Sequence, residues 1–106
     1  KVHVHEWVQA GNLLQDAMTV INTTSLGMTG KPDFRVPLDN LNPRALVNDL
    51  VYTPLKTQFL IEAEAHGATV VDGLGMLLHQ AAPGFERWFG IRPDVDEATR
   101  QAVLSA

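Results

Sequence analysis

Cysteine is absent from this 106-residue chain, so no disulfide or thiolate metal site can hold it together and the fold rests on packing. That usage fits a reducing compartment. Basic charge is also scarce, with eight Lys and Arg against twelve Asp and Glu and a formal net charge of −4. No basic stripe can neutralise phosphates along a nucleic acid, and that class of partner is excluded. No apolar run approaches the roughly 20 residues that cross a bilayer. The N-terminus lacks the basic-then-apolar order of a signal peptide, so a cytoplasmic protein with no membrane partner is expected. Missing, too, are a nucleophile–histidine–acid arrangement and a phosphate-cradling loop.

What is present alternates between β-branched runs and helical spacing. Trp7, Ala10 and Leu14 are spaced as on a helix, with Gly11 marking an interruption. Thr19 to Asn22 is short and β-branched and runs into Thr23, Thr24, Ser25 and Gly27, the pattern of a buried strand ending in a loop. From Gly30 to Pro43, three prolines and mixed polar residues form a long connection, with Leu38 and Leu41 spaced like one helical turn. Ala45 to Val51 is a second buried strand, interrupted only by Asn48 and Asp49 near its polar end. Thr53 followed by Pro54 reads as a helix start. Leu55, Phe59, Leu60 and Ala63 give that helix its apolar face and Gly67 its left-handed end. Thr69 to Val71 is a third strand; Gly73, Gly75 and Met76 then open a long apolar helix through Trp88. The tail from Asp94 to Leu104 begins with a capping box, Asp94 as cap and Glu97 three residues on.

Strands alternating with helices imply a parallel sheet with ligands at the carboxyl ends of its strands. Three strands make an α/β fold with half of a doubly wound sheet. The polar loop at the end of the first strand, Asn22 to Ser25, either reaches a ligand in the sheet's crevice or is ordinary turn chemistry. Tyr52, at the tip of the second strand, either binds a substrate oxygen or covers the core with its hydroxyl in water. Gly73-Leu74-Gly75 stands where a pyrophosphate fingerprint would stand, but Leu78 occupies the place of its third glycine. Those glycines instead permit close approach of a flat ring. Met76 and Gln80, four residues apart, share a helix face, as two ligand contacts or as a core gap-filler and a solvated amide. His3 and His5 would share one side of a strand without a third ligand nearby, so no metal site is assigned. His66 suits the last turn of its helix, and His79 is a lone ring.

Three segments together carry a family resemblance: Ile21-Asn22-Thr23-Thr24-Ser25-Leu26-Gly27-Met28, then Asp49-Leu50-Val51-Tyr52-Thr53-Pro54-Leu55-Lys56-Thr57, then Gly73 through Ala82. In this order and spacing, continued by Phe85 and Trp88-Phe89-Gly90, the chain resembles the C-terminal part of the shikimate dehydrogenases. The resemblance implies a Rossmann-like fold and NADPH-dependent reduction of 3-dehydroshikimate to shikimate, a step of aromatic amino-acid biosynthesis. It implies that Thr23, Thr24 and Ser25 lie along NADP, that Leu50, Gly73 and Met76 approach the nicotinamide end, and that Tyr52 and Gln80 contact shikimate. It further implies that residues 1–72 are the second half of an NADP-binding domain, and 73–106 a helical segment that returns to a substrate domain.

The family's catalytic lysine and aspartate, its glycine-rich phosphate loop and its 2′-phosphate-binding segment have no counterpart in these residues and are expected before Lys1. No residue here is therefore assigned a catalytic role, and Lys56, on the first turn of the expected helix, reads as solvated charge. An NAD-using quinate or shikimate dehydrogenase and a non-catalytic module of the same fold are the alternatives. The strand at Thr19 would pair with a strand not among these residues. Uncovering on the order of 400 Å² of apolar surface costs about 10 kcal/mol at 25 cal/mol/Å². That is comparable to a domain's whole stability of roughly 5 to 15 kcal/mol. The isolated chain is thus expected to be inactive and to self-associate or to pack against the missing portion, with Trp88 and Phe89 either anchoring a partner or closing the chain's own core.

Overall fold

The computed structural model describes residues 1–106. They form two compact units, Lys1–Asp72 and Gly73–Ala106. The first begins with an exposed segment without regular structure that contains His3 and His5. A broken helix follows: α1, Ala10–Leu13, is flanked by tight 3₁₀ turns at Trp7–Gln9 and Leu14–Asp16. Gly11 is buried in this helix against the 36–38 segment, and a Cβ there would stand 3.2 Å from the Pro37 carbonyl oxygen. Gly11, expected to interrupt the helix, instead lies within α1 at a close contact with Pro37.

Strands β1 (Thr19–Asn22), β2 (Leu46–Asp49) and β3 (Thr69–Val71) form one parallel sheet in that spatial order. The register sets Val20 beside Val47 and Val47 beside Val70, with Asn22 beside Asp49 at the carboxyl end. Side chains two residues apart share a face. On the inner face Val47 is fully buried among Leu14, Leu38, Leu41, Phe59, Leu60 and Ala63. Each such large side chain contributes about 1.5–3 kcal/mol by leaving water. Phe34 joins this core, its ring 4.5 Å from Phe59 and 5.6 Å from Trp7. The other face carries Ile21, Leu46 and Val71, which remain 51%, 39% and 43% exposed. The expected three-stranded parallel α/β fold is what the chain adopts, with apolar surface uncovered on a whole sheet face.

Helix α2, Gln58–Ala65, starts later than the Thr53-Pro54 pair suggested. That bond is cis, and Thr57 is the cap, its hydroxyl accepting the Leu60 N–H. Leu55 therefore lies ahead of the helix, while Phe59, Leu60 and Ala63 supply its buried side. Gly67 ends it as expected, at φ +93°. Its N–H donates to Glu64 O at 2.9 Å, and a Cβ there would sit 3.3 Å from that of Pro43. The Leu38–Leu41 spacing appears as one turn closed by a 3.0 Å bond, with both leucines buried.

In the second unit α3 spans Leu74–Phe89 and α4 spans Glu97–Leu104. Asp94 is not the cap of α4: Asp96 Oδ1 accepts both the backbone N–H and the hydroxyl of Thr99 at 2.9 Å. The cap stands three residues before the amide it satisfies, and that amide belongs to Thr99, with Glu97 the first residue of the helix. The Thr99 backbone N–H, followed by its hydroxyl, holds the Asp96 carboxyl below its ordinary value. Phe85 stacks on Phe89 with ring centroids 4.7 Å apart, and Arg92 pairs with Glu86 at 2.8 Å. Trp88 and Phe89 do not close a core; they are 80% and 64% exposed. No helix is long and apolar enough to cross a membrane.

Candidate functional site

The carboxyl ends of β1 and β2 are joined by a polar network sealed from water. Asn22, Asp49 and Thr57 are each at most 1% exposed. Asn22 Nδ2 donates to Asp49 Oδ1 at 3.1 Å and to Leu26 O at 3.0 Å. Asp49 Oδ1 also accepts the Val51 N–H at 3.0 Å, and its Oδ2 accepts the Thr57 hydroxyl at 2.7 Å. Asn22 Oδ1 in turn accepts the Thr24 N–H at 3.0 Å and hydroxyl at 2.7 Å, while Thr24 Oγ1 accepts the Leu26 N–H at 3.1 Å. A buried carboxylate is tolerable only when fully hydrogen-bonded. Here three donors from three segments converge on it.

This network shapes the backbone on both sides of a cleft. On one side the turn after β1 is folded by Asn22 and Thr24; on the other the chain leaving β2 is held by the Leu50 N–H donating to Asn22 O at 3.1 Å. Farther out, the Thr29 N–H donates to Thr53 O at 2.9 Å and closes one end. Between them lies a space of about 250 Å³ lined by Thr24, Ser25, Met28, Leu50, Val51, Tyr52 and Thr53. Hydroxyls meet apolar side chains there, the mix that suits a partly polar, flat ligand. A larger depression of about 360 Å³ lies between residues 33–37 and α2, away from the strand tips.

Four of the residues singled out from sequence, Thr24, Ser25, Leu50 and Tyr52, line this one cleft. Tyr52 is 42% exposed and Leu50 half-buried. Thr23, in the same turn, is exposed and is not among the lining residues. Gly73, Met76 and Gln80 belong to the second unit. Gly73 is buried as the cap of α3 with an ordinary φ of −84°, and Met76 and Gln80 are exposed on the helix. Gln80 borders a groove of about 320 Å³ with Leu77, Ala81, Gly84 and Trp88, while Met76 does not. Around Gly75 a Cβ would meet open space, so packing within the chain does not require that glycine. Lys56 is a half-exposed partner of Glu64 at 2.9 Å, in keeping with solvated charge.

Sequence reasoning overlooked the inward-facing trio behind the cleft. Asn22 reads from sequence as the start of the ligand turn, and Asp49 as a strand's polar edge; both point into the core. Parity was the available signal: Asn22 shares a face with Val20, and Asp49 with Val47. A polar residue on the buried parity of two neighbouring strands demands a partner.

Residues 73–104 match the family described as the Shikimate 5'-dehydrogenase C-terminal domain. The whole chain is 77% identical to a shikimate dehydrogenase (NADP(+)) of Cereibacter sphaeroides. Over its full length, this chain is similar to the C-terminal part of shikimate dehydrogenases. The match takes in 100% of this chain and 38% of that relative, so the chain spans well under half the length of the relatives it resembles. Among solved structures, quinate dehydrogenase from Corynebacterium glutamicum in complex with NAD superposes with a TM-score of 0.81 at 33% identity. That superposition takes in 91% of this chain and 34% of the other. Shikimate 5-dehydrogenase from Thermus thermophilus, in complex with NADP(H) and shikimate, gives 0.72 at 36% identity over 79% of this chain and 32% of its own. The resemblance carried by the three motifs is thereby borne out.

Proposed function

We propose that this chain is the C-terminal part of a cytoplasmic, NADP-dependent shikimate dehydrogenase that reduces 3-dehydroshikimate to shikimate. The observation that carries the reading is the cleft at the carboxyl ends of β1 and β2, lined by Thr24, Ser25, Leu50 and Tyr52. Parallel α/β sheets bind ligands at that edge, and the relative at 77% identity is a dehydrogenase named for NADP(+).

The lining fits such a cofactor by its donor set: Thr24 and Ser25 offer hydroxyls, and Leu50, Val51 and Met28 an apolar wall. The nicotinamide group, when bound, supplies the hydride. Thr23, Thr24 and Ser25 are assigned to hold the cofactor along the turn, and Leu50, Gly73 and Met76 to its nicotinamide end. Tyr52 and Gln80 are assigned to orient the substrate through its carboxylate or hydroxyls, the phenol by donating and the amide by donating or accepting. Proton handling at the substrate carbonyl is assigned to a portion preceding these residues. On this reading residues 1–72 complete a cofactor domain, and residues 73–106 contribute Gln80 and the exposed aromatics Trp88 and Phe89 to a substrate-domain contact. The exposed face bearing Ile21, Leu46 and Val71 is the surface that the preceding portion covers.

The test is a chimera in which this chain replaces the matching C-terminal part of the Cereibacter sphaeroides relative, assayed with shikimate and quinate against NADP and NAD. Shikimate oxidation with NADP is the expected activity; a folded chimera inert toward all four pairs refutes the reading. The 0.81 superposition on an NAD-bound quinate dehydrogenase favours one second reading, a quinate or shikimate dehydrogenase using NAD. Faster turnover with NAD would select it.

A further inference from the structure

We propose that Asp49 and Thr57 are positioning residues that lock the two walls of the strand-tip cleft, and the start of α2, into one register. The inference rests on reading that cleft as the ligand site.

Asp49 does not line the cleft, yet its Oδ1 reaches both walls and its Oδ2 the start of α2. Through Oδ1 it holds Asn22 Nδ2, and Asn22 Oδ1 holds the Thr24 N–H and hydroxyl, so the first wall hangs from the carboxylate through one intermediate. The same Oδ1 takes the Val51 N–H directly, fixing the residue before Tyr52. Through Oδ2 it takes the Thr57 hydroxyl, whose oxygen caps α2 at the Leu60 N–H. Buried side-chain nitrogen and oxygen atoms in this chain all have partners, so the trio has no spare group to re-pair with when one member is changed. A carboxylate is the group that suits this point. It accepts on both oxygens, whereas an amide would either turn its N–H₂ toward the Val51 and Asn22 donors or oblige the Thr57 oxygen, which already accepts the Leu60 N–H, to accept a second bond in place of the one it donates. A purely core-filling role would be served by an apolar residue of similar volume, without three converging donors.

The two walls should therefore loosen together when the carboxylate or its hydroxyl partner is altered. The experiment uses the chimera with D49N, T57V and the conservative T57S. Steady-state kinetics are taken well below the thermal midpoint, and hydrogen exchange is followed in peptides covering residues 23–28 and 50–53. D49N and T57V are expected to raise KM for NADP about tenfold while kcat falls less, and T57S to stay within about twofold of the parent. Exchange should speed up in both peptides for D49N and T57V. Variants that lower the thermal midpoint but keep both KM values at the parent's overturn the proposal, since lost stability alone does not change the affinity of the folded fraction. Faster exchange in only one wall, or in neither, overturns it whatever the activity. Should D49N not fold, the T57S and T57V comparison in exchange decides; should T57V not fold, the comparison of D49N with T57S does. An unsubstituted chimera that never turns over refutes the dehydrogenase reading instead, and the exchange result still judges the coupling of the walls.

Discussion

Asn22 and Asp49 face each other across neighbouring parallel strands, amide to carboxylate at 3.1 Å, in a site that water does not reach. Asn22→Ala strands Asp49 Oδ1 with one donor fewer and frees the Thr24 turn. It should lower stability by about 1–3 kcal/mol, the range for a buried polar group left unpaired. Asn22→Asp should cost more, because it sets a second carboxylate against the first. Thermal or urea unfolding of the chimera checks both, and an Asp variant at least as stable as the Ala variant contradicts the geometry.

Tyr52 and Gln80 are assigned to the substrate. Gln80→Ala in the chimera should weaken shikimate binding by about 1–3 kcal/mol through an unpaired polar partner. Tyr52→Phe, which keeps the ring and loses the hydroxyl, should act in the same direction with the KM for NADP unchanged. Unaltered shikimate affinity in Gln80→Ala would return that side chain to the solvent-facing surface of α3.

The acid side of the stability profile has a local reporter. The Thr99 amide and hydroxyl hold the Asp96 carboxyl below its ordinary value of 3.8, so its cap favours folding fully above that pH and is lost as pH falls through the lowered value. Below about pH 4, protection of the Thr99 amide relative to an unstructured peptide at the same pH should fall and the first turn of α4 should fray. Asp96→Asn retains the acceptor without the titration and should remove this dependence. A Thr99 amide indifferent to acid in both proteins would show that the cap is not formed.

Two glycines should respond in opposite senses. Gly67→Ala places a side chain at φ +93° within 3.3 Å of Pro43 and should destabilise by about 1–2 kcal/mol. Gly75→Ala lies inside α3 with open space around the new methyl, and should stabilise by about 0.5–1 kcal/mol. If that variant is more stable but binds NADP less tightly, the bare backbone at Gly75 serves a ligand.

The chain on its own exposes Ile21, Leu46 and Val71 on one sheet face and Trp88 on α3. It should show no shikimate oxidation with NADP, and it should self-associate in sedimentation velocity. A monodisperse monomer with sharp thermal unfolding would contradict the second expectation, and turnover by a preparation free of longer protein the first.

The strands were legible because β-branched runs bounded by polar turns admit few other readings, and Gly67 marked the end of α2 by needing a left-handed backbone. The start of α2 was misplaced because Thr53-Pro54 and Thr57 both look like helix starts in one dimension. Only the contact of Thr57 with Asp49, eight residues away in the chain, selects the second. Asp94 and Asp96 posed the same choice, settled by which carboxylate reaches Thr99. Thr24, Ser25, Leu50 and Tyr52 of the cleft's lining were readable, since polar turns at strand tips face outward; Met28, Val51 and Thr53 were not. Its buried support was less so: a hydrogen bond between residues 27 apart leaves no local pattern beyond an odd polar residue on the apolar parity.

Thr24 and Ser25 on one wall and Leu50 to Thr53 on the other are the visible parts of the cleft, and an engineer grafting it onto another parallel sheet would be inclined to copy those alone. The transplant would need Asp49 at the tip of the neighbouring strand and a hydroxyl at the head of the following helix. Without them the copied turn has no anchor beneath it, and a scaffold of the right shape would carry a mouth that does not hold its form.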